Sequence, residues 1–262
     1  GTEISSGWGI SPNGQHIVGL GWDGAGGAGN GRAIQWTQGG GMTDLGSTVA
    51  GRSSRANAVN ADGSVVVGWQ DSSSGNRQAA IWNNGVQSII TTPGGAFAGE
   101  ASAVTPDGQW VTGFFSNGTA RQAWRWSDAT GLEQLGTLFP GAFPPTTGLS
   151  TYISDDGSVI LGTDRGFGPA VGGEGFLWTE GTGIVNFDDY LLGFGVDLSD
   201  TFDFALPYAM SADGKTFVGV GRVAGSFIAH GFVVTIPAPA SAGLLGVGAA
   251  LASRRRRSPQ MN

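Results

Sequence analysis

The sequence predicts an all-β fold, a β-propeller of about five four-stranded repeats. Three observations carry this. An Asn-Gly or Asp-Gly turn recurs five times, at Asn13-Gly14, Asp62-Gly63, Asp107-Gly108, Asp156-Gly157 and Asp213-Gly214, with the glycines 49, 45, 49 and 57 residues apart. A second landmark follows each turn: a small residue, two variable residues, then Trp. Finally, the 262 residues include 49 glycines and no long 3.6-residue periodicity before the C-terminal tail, which implies many tight turns joining many short strands. Four strands in about 45 to 50 residues is the size of a propeller blade. A β-sandwich and a β-solenoid are the alternatives.

The copies can be followed in order. The first has its Trp landmark at Ala33 to Trp36, then a turn and short strand at Gly41-Met42-Thr43-Asp44-Leu45-Gly46. The second reads Ala56-Asn57-Ala58-Val59-Asn60-Ala61-Asp62-Gly63-Ser64-Val65-Val66-Val67-Gly68, with its landmark at Ala79 to Trp82. The third runs through Ala123 to Trp126 and closes on Gly131-Leu132-Glu133-Gln134-Leu135-Gly136. The fourth has Gly175 to Trp178; in the fifth, Gly231 precedes Val234 at the Trp position. That last copy supplies three strands (Tyr208 to Ser211, Thr216 to Val220, Phe227 to Ile236) and meets Pro237 where a fourth belongs. Asn-Gly and Asp-Gly between apolar runs signal hairpins whose two turn residues both take positive φ. Gly1-Thr2-Glu3-Ile4 resembles the stub after another unit's last strand, so the chain reads as a fragment or a processed form.

Composition narrows the function. A hydrophobic content of 40% supports a core, and 9 Trp with 14 Phe supply large buried surfaces against the entropic cost of the glycines. Net charge is −7, and the body without Arg254, Arg255, Arg256 and Arg257 carries −11. Such a body repels phosphates, which argues against nucleic acid as a partner. The absence of cysteine excludes disulfides, thiolate metal sites and thiol nucleophiles.

The repeats resemble the extracellular HAF repeat, named for a His-Ala-Phe core before a Trp and preceded by an Ala/Gly-Ile-Asn stretch, a Gly turn and a Val-Val-Gly strand. The core stands here as Arg32-Ala33-Ile34, Gln78-Ala79-Ala80, Gln122-Ala123-Trp124, Glu174-Gly175-Phe176 and His230-Gly231-Phe232, only the last keeping both His and Phe. The resemblance covers nearly all of residues 6 to 236. It implies a β-rich fold in an extracytoplasmic setting and no particular activity, with residues 1 to 236 as the propeller domain.

Residues 237 to 262 resemble the PEP-CTERM sorting signal of bacteria. Pro237-Ala238-Pro239 stands in place of Pro-Glu-Pro, an uncharged segment from Ala240 to Ser253 stands as a short apolar helix, and Arg254 to Arg257 form the basic cluster. The 14 apolar-segment residues fall short of the roughly 20 that span a bilayer, which suits transient insertion. The guanidinium cluster stays on the cytoplasmic side. The resemblance implies processing by an exosortase-like membrane peptidase and delivery to the cell envelope or extracellular matrix, among polysaccharide and other matrix proteins.

Other motifs point to less chemistry. Gly19-Leu20-Gly21-Trp22-Asp23-Gly24 matches a dinucleotide fingerprint, but a Gly-rich loop follows where a helix is required, so no cofactor is expected. His16 and His230, with no cysteine, leave too few ligands for zinc, and both read as strand residues. There is no Gly-x-Ser-x-Gly elbow. Asp155-Asp156, Asp188-Asp189 and the series Asp197, Asp200, Asp203 read as turn and solubility residues. Asp197 to Asp203 is the best place for a weak Ca²⁺ site, although it lacks the spaced loop and terminal Glu of a strong one. Trp36, Trp82, Trp126 and Trp178 are expected in one core layer, whereas Trp8, Trp22, Trp69, Trp110 and Trp124 are less regular and, where exposed, suit stacking on sugar rings.

Three functional readings follow. The first is a non-enzymatic extracytoplasmic repeat protein with an adhesion or structural role. The others are a secreted glycan-active enzyme with a paired-carboxylate site, and a carbohydrate-binding module.

Overall fold

The computed structural model describes residues 5–22, 31–96, 98–115, 122–142, 146–166 and 168–237. These fold into five antiparallel sheets, each a meander in chain order. The first holds β1 (Ser5–Ile10), β2 (His16–Trp22), β3 (Gly31–Thr37) and β4 (Gly41–Asp44). The second holds β5 (Ser54–Val59), β6 (Val65–Asp71), β7 (Arg77–Asn83) and β8 (Val86–Ile89). The third holds β9 (Glu100–Val104), β10 (Val111–Phe114), β11 (Ala123–Ser127) and β12 (Gly131–Gly136). The fourth holds β13 (Thr147–Ile153), β14 (Val159–Arg165), β15 (Glu174–Thr179) and β16 (Gly183–Asn186). The fifth has only β17 (Phe202–Met210), β18 (Thr216–Val223) and β19 (Ala229–Thr235), so four sheets are four-stranded and the last is three-stranded. One helix of six residues, α1 (Phe187–Leu192), joins the fourth sheet to the fifth; it is too short to show as a periodic pattern. Residues 238–262, with Pro239, the apolar segment and Arg254, Arg255, Arg256 and Arg257, lie outside the described residues; Pro237 is described and exposed.

The sheets pack face to face as propeller blades, with the first strands β1, β5, β9, β13 and β17 touching in succession along the inner edge. Four apolar layers fill the gaps. Val18 and Ala33 meet Val59, Val66, Ala80 and Trp82 between sheets one and two. Val67, Ile81 and Ile90 meet Val111 and Trp124 between two and three. Ala123 and Leu135 meet Ile153, Ile160, Phe176 and Trp178 between three and four. Leu161, Leu177 and the α1 residues Phe187 and Leu191 meet Phe204, Phe217, Val234 and Ile236 between four and five.

Side chains alternate across a strand, so the landmark's small residue and its Trp, three positions apart, lie on opposite faces. Ala33, Ala79, Ala123 and Gly175 face the following sheet; a Cβ on Gly175 would strike the Phe204 carbonyl. Trp82, Trp126 and Trp178 face the preceding sheet, and the Trp82 indole donates to the Leu45 carbonyl across the gap at 2.9 Å. Among the described residues no sheet packs over Trp36, which is 36% exposed, so the expected Trp layer is buried at Trp82 and Trp178, partly buried at Trp126 and open at Trp36.

Each first strand carries a one-residue bulge, at Trp8, Asn57, Ser102, Thr151 and Tyr208. Opposite each bulge sits the glycine ending the Val-Val-Gly-type strand: Gly19, Gly68, Gly113, Gly162 and Gly219. A Cβ at any of these would overlap the carbonyl oxygen of Ser6, Arg55, Glu100, Leu149 or Leu206 respectively. Gly19, the opening glycine of the dinucleotide-like string, thus has a packing role. Two bulge side chains tie neighbouring sheets: the Asn57 amide donates to the Ala101 carbonyl at 2.7 Å and the Thr151 hydroxyl to the Pro207 carbonyl at 2.6 Å.

The five recurrent turns differ from the expected geometry. Only their glycines take positive φ (70° to 77°); the Asn or Asp before each does not. The acceptor oxygen of Asn13, Asp62, Asp107, Asp156 and Asp213 instead receives the backbone N–H two residues on, at 2.9 to 3.1 Å. A Ser or Thr two residues earlier (Ser11, Thr105, Ser154, Ser211) donates its hydroxyl to that same oxygen and accepts the N–H of the incoming strand. In the second copy, Asn60 accepts that strand's N–H from Val65 at 2.9 Å. These are side-chain-closed turns, which need only one left-handed residue. The two-residue turn with both φ positive is Asn84 (49°) and Gly85 (79°), between β7 and β8.

Gly68→Ala should cost roughly 1 to 3 kcal/mol or more, because a methyl group there has to displace backbone. Gly166→Ala, where a Cβ meets nothing within 4 Å, should stay within about 0.5 kcal/mol of the parent. Denaturant unfolding of the two variants checks the contrast.

Candidate functional site

The side-chain-closed turns occupy one end of the sheets. At the other end, where the first and third strands begin and the second strands finish, polar and aromatic side chains collect in two groups. The first group joins sheets one to three. Arg55, the second residue of β5, has its guanidinium 4.1 Å from the Trp8 ring centroid and 5.3 Å from that of Trp69. Arg77, at the start of β7, lies 4.3 Å from the other end of this stack, over Trp69. Both arginines pair with Glu100, the first residue of β9: Arg55 at 3.0 Å, and Arg77 directly through its own Nη1. Arg55 also donates to Asn57 at 2.8 Å.

Glu100 is buried, so its charge requires these partners. Burial, then the neighbouring Arg77, lowers the Arg55 pKa to about 10, and it stays protonated at neutral pH. Glu100 is thus shared by two guanidiniums, and Arg77 also lies beside Asp71, its cross-strand partner. Trp8 is 55% exposed at the margin of this stack.

The second group joins sheets four and five around Arg222. Its guanidinium meets Asp203 at 3.0 Å and Glu174 at 3.7 Å, and donates to the Gly173 carbonyl at 2.8 Å. Asn186 caps α1 by accepting the Asp188 N–H at 2.8 Å, while its amide donates to Glu174 at 3.2 Å. Asp188 is thereby held beside other carboxylates. Burial first, and Glu174 next, raise its pKa from 3.8 to about 6, against a hydrogen bond from the Phe204 N–H.

Several sequence-predicted positions fall elsewhere. Asp203 belongs to the Arg222 group, whereas Asp197 accepts from its own neighbour Ser199 and Asp200 is exposed in the following turn. The structure therefore does not assemble Asp197, Asp200 and Asp203, the Ca²⁺ candidates, into one site. Among the described residues no group of three or more His, Asp or Glu is placed to hold a metal ion. His16 starts β2 against Gln35, and His230 lies exposed on β19. Trp124 is fully buried and donates to the Ala98 carbonyl at 2.8 Å, while Trp110 and Trp178 sandwich Arg125 at 4.3 and 4.5 Å.

A cleft of about 380 Å³ opens between sheets four and five at the turn end, lined by Tyr152, Asp155, Asp156, Met210, Ser211 and Asp213. Its Asp156 is committed to its own turn. The Ser154 hydroxyl, then the Ser158 N–H and hydroxyl, hold that carboxyl down at about 2. No described helix is long and apolar enough to cross a membrane.

Comparison with solved structures agrees with the blade architecture. Over 84% of its length the chain superposes on TolB from Acinetobacter baumannii with a TM-score of 0.55 at 17% identity, and it spans about half (49%) of that protein. A protein assigned as TolB from Agrobacterium tumefaciens matches over 87% of this chain and 73% of its own, with a TM-score of 0.53 at 15% identity. An oligogalacturonate lyase solved with manganese matches over 90% and 66%, with a TM-score of 0.51 at 13% identity. At such identities the likeness concerns the fold alone. No family model and no curated protein sequence matches the chain.

Glu100→Gln should destabilise the protein by roughly 3 kcal/mol, because it leaves two guanidiniums around a buried neutral amide; thermal unfolding measures it. Asp188 acts in the opposite sense. Its folded pKa exceeds the unfolded one, so stability falls as pH rises from about 4 to about 6 and stays lowered above. Asp188→Asn should therefore raise Tm at pH 8, with the gain shrinking towards pH 4.

Proposed function

We propose that this chain is a non-enzymatic repeat protein of the cell exterior, of the extracellular HAF-repeat kind, serving adhesion or matrix structure. In this reading an exosortase-like peptidase processes the C-terminal tail, with Pro237 and Pro239 before the apolar segment and Arg254 to Arg257 behind it, and the propeller is delivered to the envelope or matrix. The observation that carries the reading is how the charged groups are used. Glu100, Glu174 and Asp203 neutralise arginines, and Asp62, Asp156 and Asp213 close turns. What remains for a ligand is contact area, with the half-exposed indole of Trp8 backed by Arg55. An indole beside a guanidinium suits the apolar face of a sugar ring carrying acidic substituents, as in an extracellular polysaccharide.

Expected from this are retention on acidic polysaccharide, at least tenfold weaker binding by Trp8→Ala, and no release of reducing ends. Glycan-array binding paired with a reducing-sugar assay reads all three; turnover, or binding indifferent to Trp8, sinks the reading. A second reading, a glycan-active enzyme, is favoured by Asp188, a carboxyl with pKa about 6 beside Glu174, as an acid catalyst requires. It predicts reducing-end release that Asp188→Asn abolishes.

A further inference from the structure

Six Asn-Gly or Asp-Gly pairs lie within the described residues: the five recurrent turns, and Asn84-Gly85, the two-residue loop between β7 and β8. Such a pair can react with itself. The glycine nitrogen has no neighbouring side chain to shield it from the side-chain carbonyl carbon one residue before, and a bond between the two closes a five-membered succinimide. Asparagine is the more labile partner, because its amide nitrogen can leave as ammonia. Hydrogen bonds to either group hold the reacting atoms apart.

The five recurrent turns carry such bonds on both groups. Gly14 donates its N–H to the Ser11 carbonyl at 2.8 Å. The Asn13 side-chain oxygen accepts the Ser11 hydroxyl at 2.7 Å and the Gln15 N–H at 2.9 Å, and its amide donates to the Ala61 carbonyl in the second sheet at 2.7 Å. The N–H groups of Gly63, Gly108, Gly157 and Gly214 are held in the same way by the carbonyls of Asn60, Thr105, Ser154 and Ser211, at 2.8 to 3.4 Å. The aspartate before each accepts the backbone N–H two residues on.

Asn84-Gly85 has none of these restraints. Asn84 is exposed, and among the described residues its side chain makes no hydrogen bond and the Gly85 N–H meets no acceptor. A Cβ on Gly85 would touch nothing within 4 Å. The one tie is the Asn84 N–H to the Ser64 carbonyl at 2.7 Å, which restrains neither reacting group.

We infer that Asn84 is a site of spontaneous deamidation, the one Asn-Gly or Asp-Gly pair among the described residues that the fold leaves free to react. The Gly85 nitrogen bonds to the Asn84 side-chain carbonyl carbon. The bond from that carbon to Nδ2 breaks, and Nδ2 takes the Gly85 proton and leaves as ammonia. Water then opens the ring at either carbonyl, giving an aspartyl or an isoaspartyl residue at position 84, with no oxidation or reduction. Either product puts a carboxylate where a neutral amide stood, so the net charge of −7 becomes more negative by one. The isoaspartyl form also adds a backbone carbon to a loop of two residues. That loop sets the pairing of β7 with β8, from Asn83 opposite Val86 to Ala80 opposite Ile89. Ile89 and the following Ile90 pack into the layers on either side of the second sheet, so the modification loosens this sheet at its outer strand.

Peptide mapping by mass spectrometry, on the full chain aged at mildly alkaline pH, reads the conversion as a gain of about 1 Da. In the folded protein Asn84 should convert at least about tenfold faster than Asn13, whose reaction first requires four hydrogen bonds to break. In denaturant the two should convert at similar rates, because each then precedes an unrestrained glycine. Asn13 converting within tenfold of Asn84 in the folded protein overturns the inference. So does an Asn84 that stays intact in the folded protein while the denatured chain reacts, or a tenfold bias that persists in denaturant.

Discussion

Every sheet in this protein is apolar on both faces, and a four-stranded sheet can bury neither by itself. The interface between consecutive sheets is therefore the constraint from which the rest follows. It sets which landmark residue must be small and which must be large. Ala33, Ala79, Ala123 and Gly175 let the next inner strand approach, while Trp82, Trp126 and Trp178 reach back over the preceding sheet. The spacing of three residues between them places them on opposite faces in every copy.

The close approach inside each sheet has a second requirement. A bulge in each first strand pushes one carbonyl towards the second strand, and only glycine leaves room for it. The bulge frees a side chain that bonds across to the neighbour, as Asn57 and Thr151 do. Bulge, glycine and cross-sheet hydrogen bond form one device in the second and fourth sheets; in the third, the bulged Ser102 keeps the glycine but its hydroxyl makes no such bond. In the terminal sheets the bulged residues are Trp8 and Tyr208, both large and exposed. The same position thus serves cohesion in the middle of the array and surface at its ends.

Charge is scarce, at 13% of residues, and the structure concentrates much of it where strands from different sheets converge. Glu100 takes arginines from β5 and β7, and Arg222 takes carboxylates from β15 and β17. Both groups lie away from the turn end, where carboxylates are spent on local backbone N–H groups. This division explains why Asp156 titrates low and Asp188 high: one accepts several hydrogen bonds in water, and the other is desolvated among like charges.

The repeat number, the strands of each copy and the three-stranded last sheet were legible in the sequence, because turn chemistry and the Trp landmark act over a few residues and recur. Asn-Gly or Asp-Gly announced each hairpin, but the local pair did not show that a side-chain oxygen closes the turn, with a Ser, Thr or (in the second copy) Asn two residues earlier holding the next strand's N–H. The Arg55–Glu100 and Glu174–Arg222 groups were not legible; their members lie 45 and 48 residues apart, and no local rule pairs them. Their signal was a charged residue at the edge of an otherwise apolar strand. Likewise Trp36 and Trp82 occupy one repeat position but differ in burial, since a side chain's alternation is local while the sheet that covers it is supplied by the next or previous copy. Local pattern decided which face each residue shares, and only the assembled array decided which faces are covered.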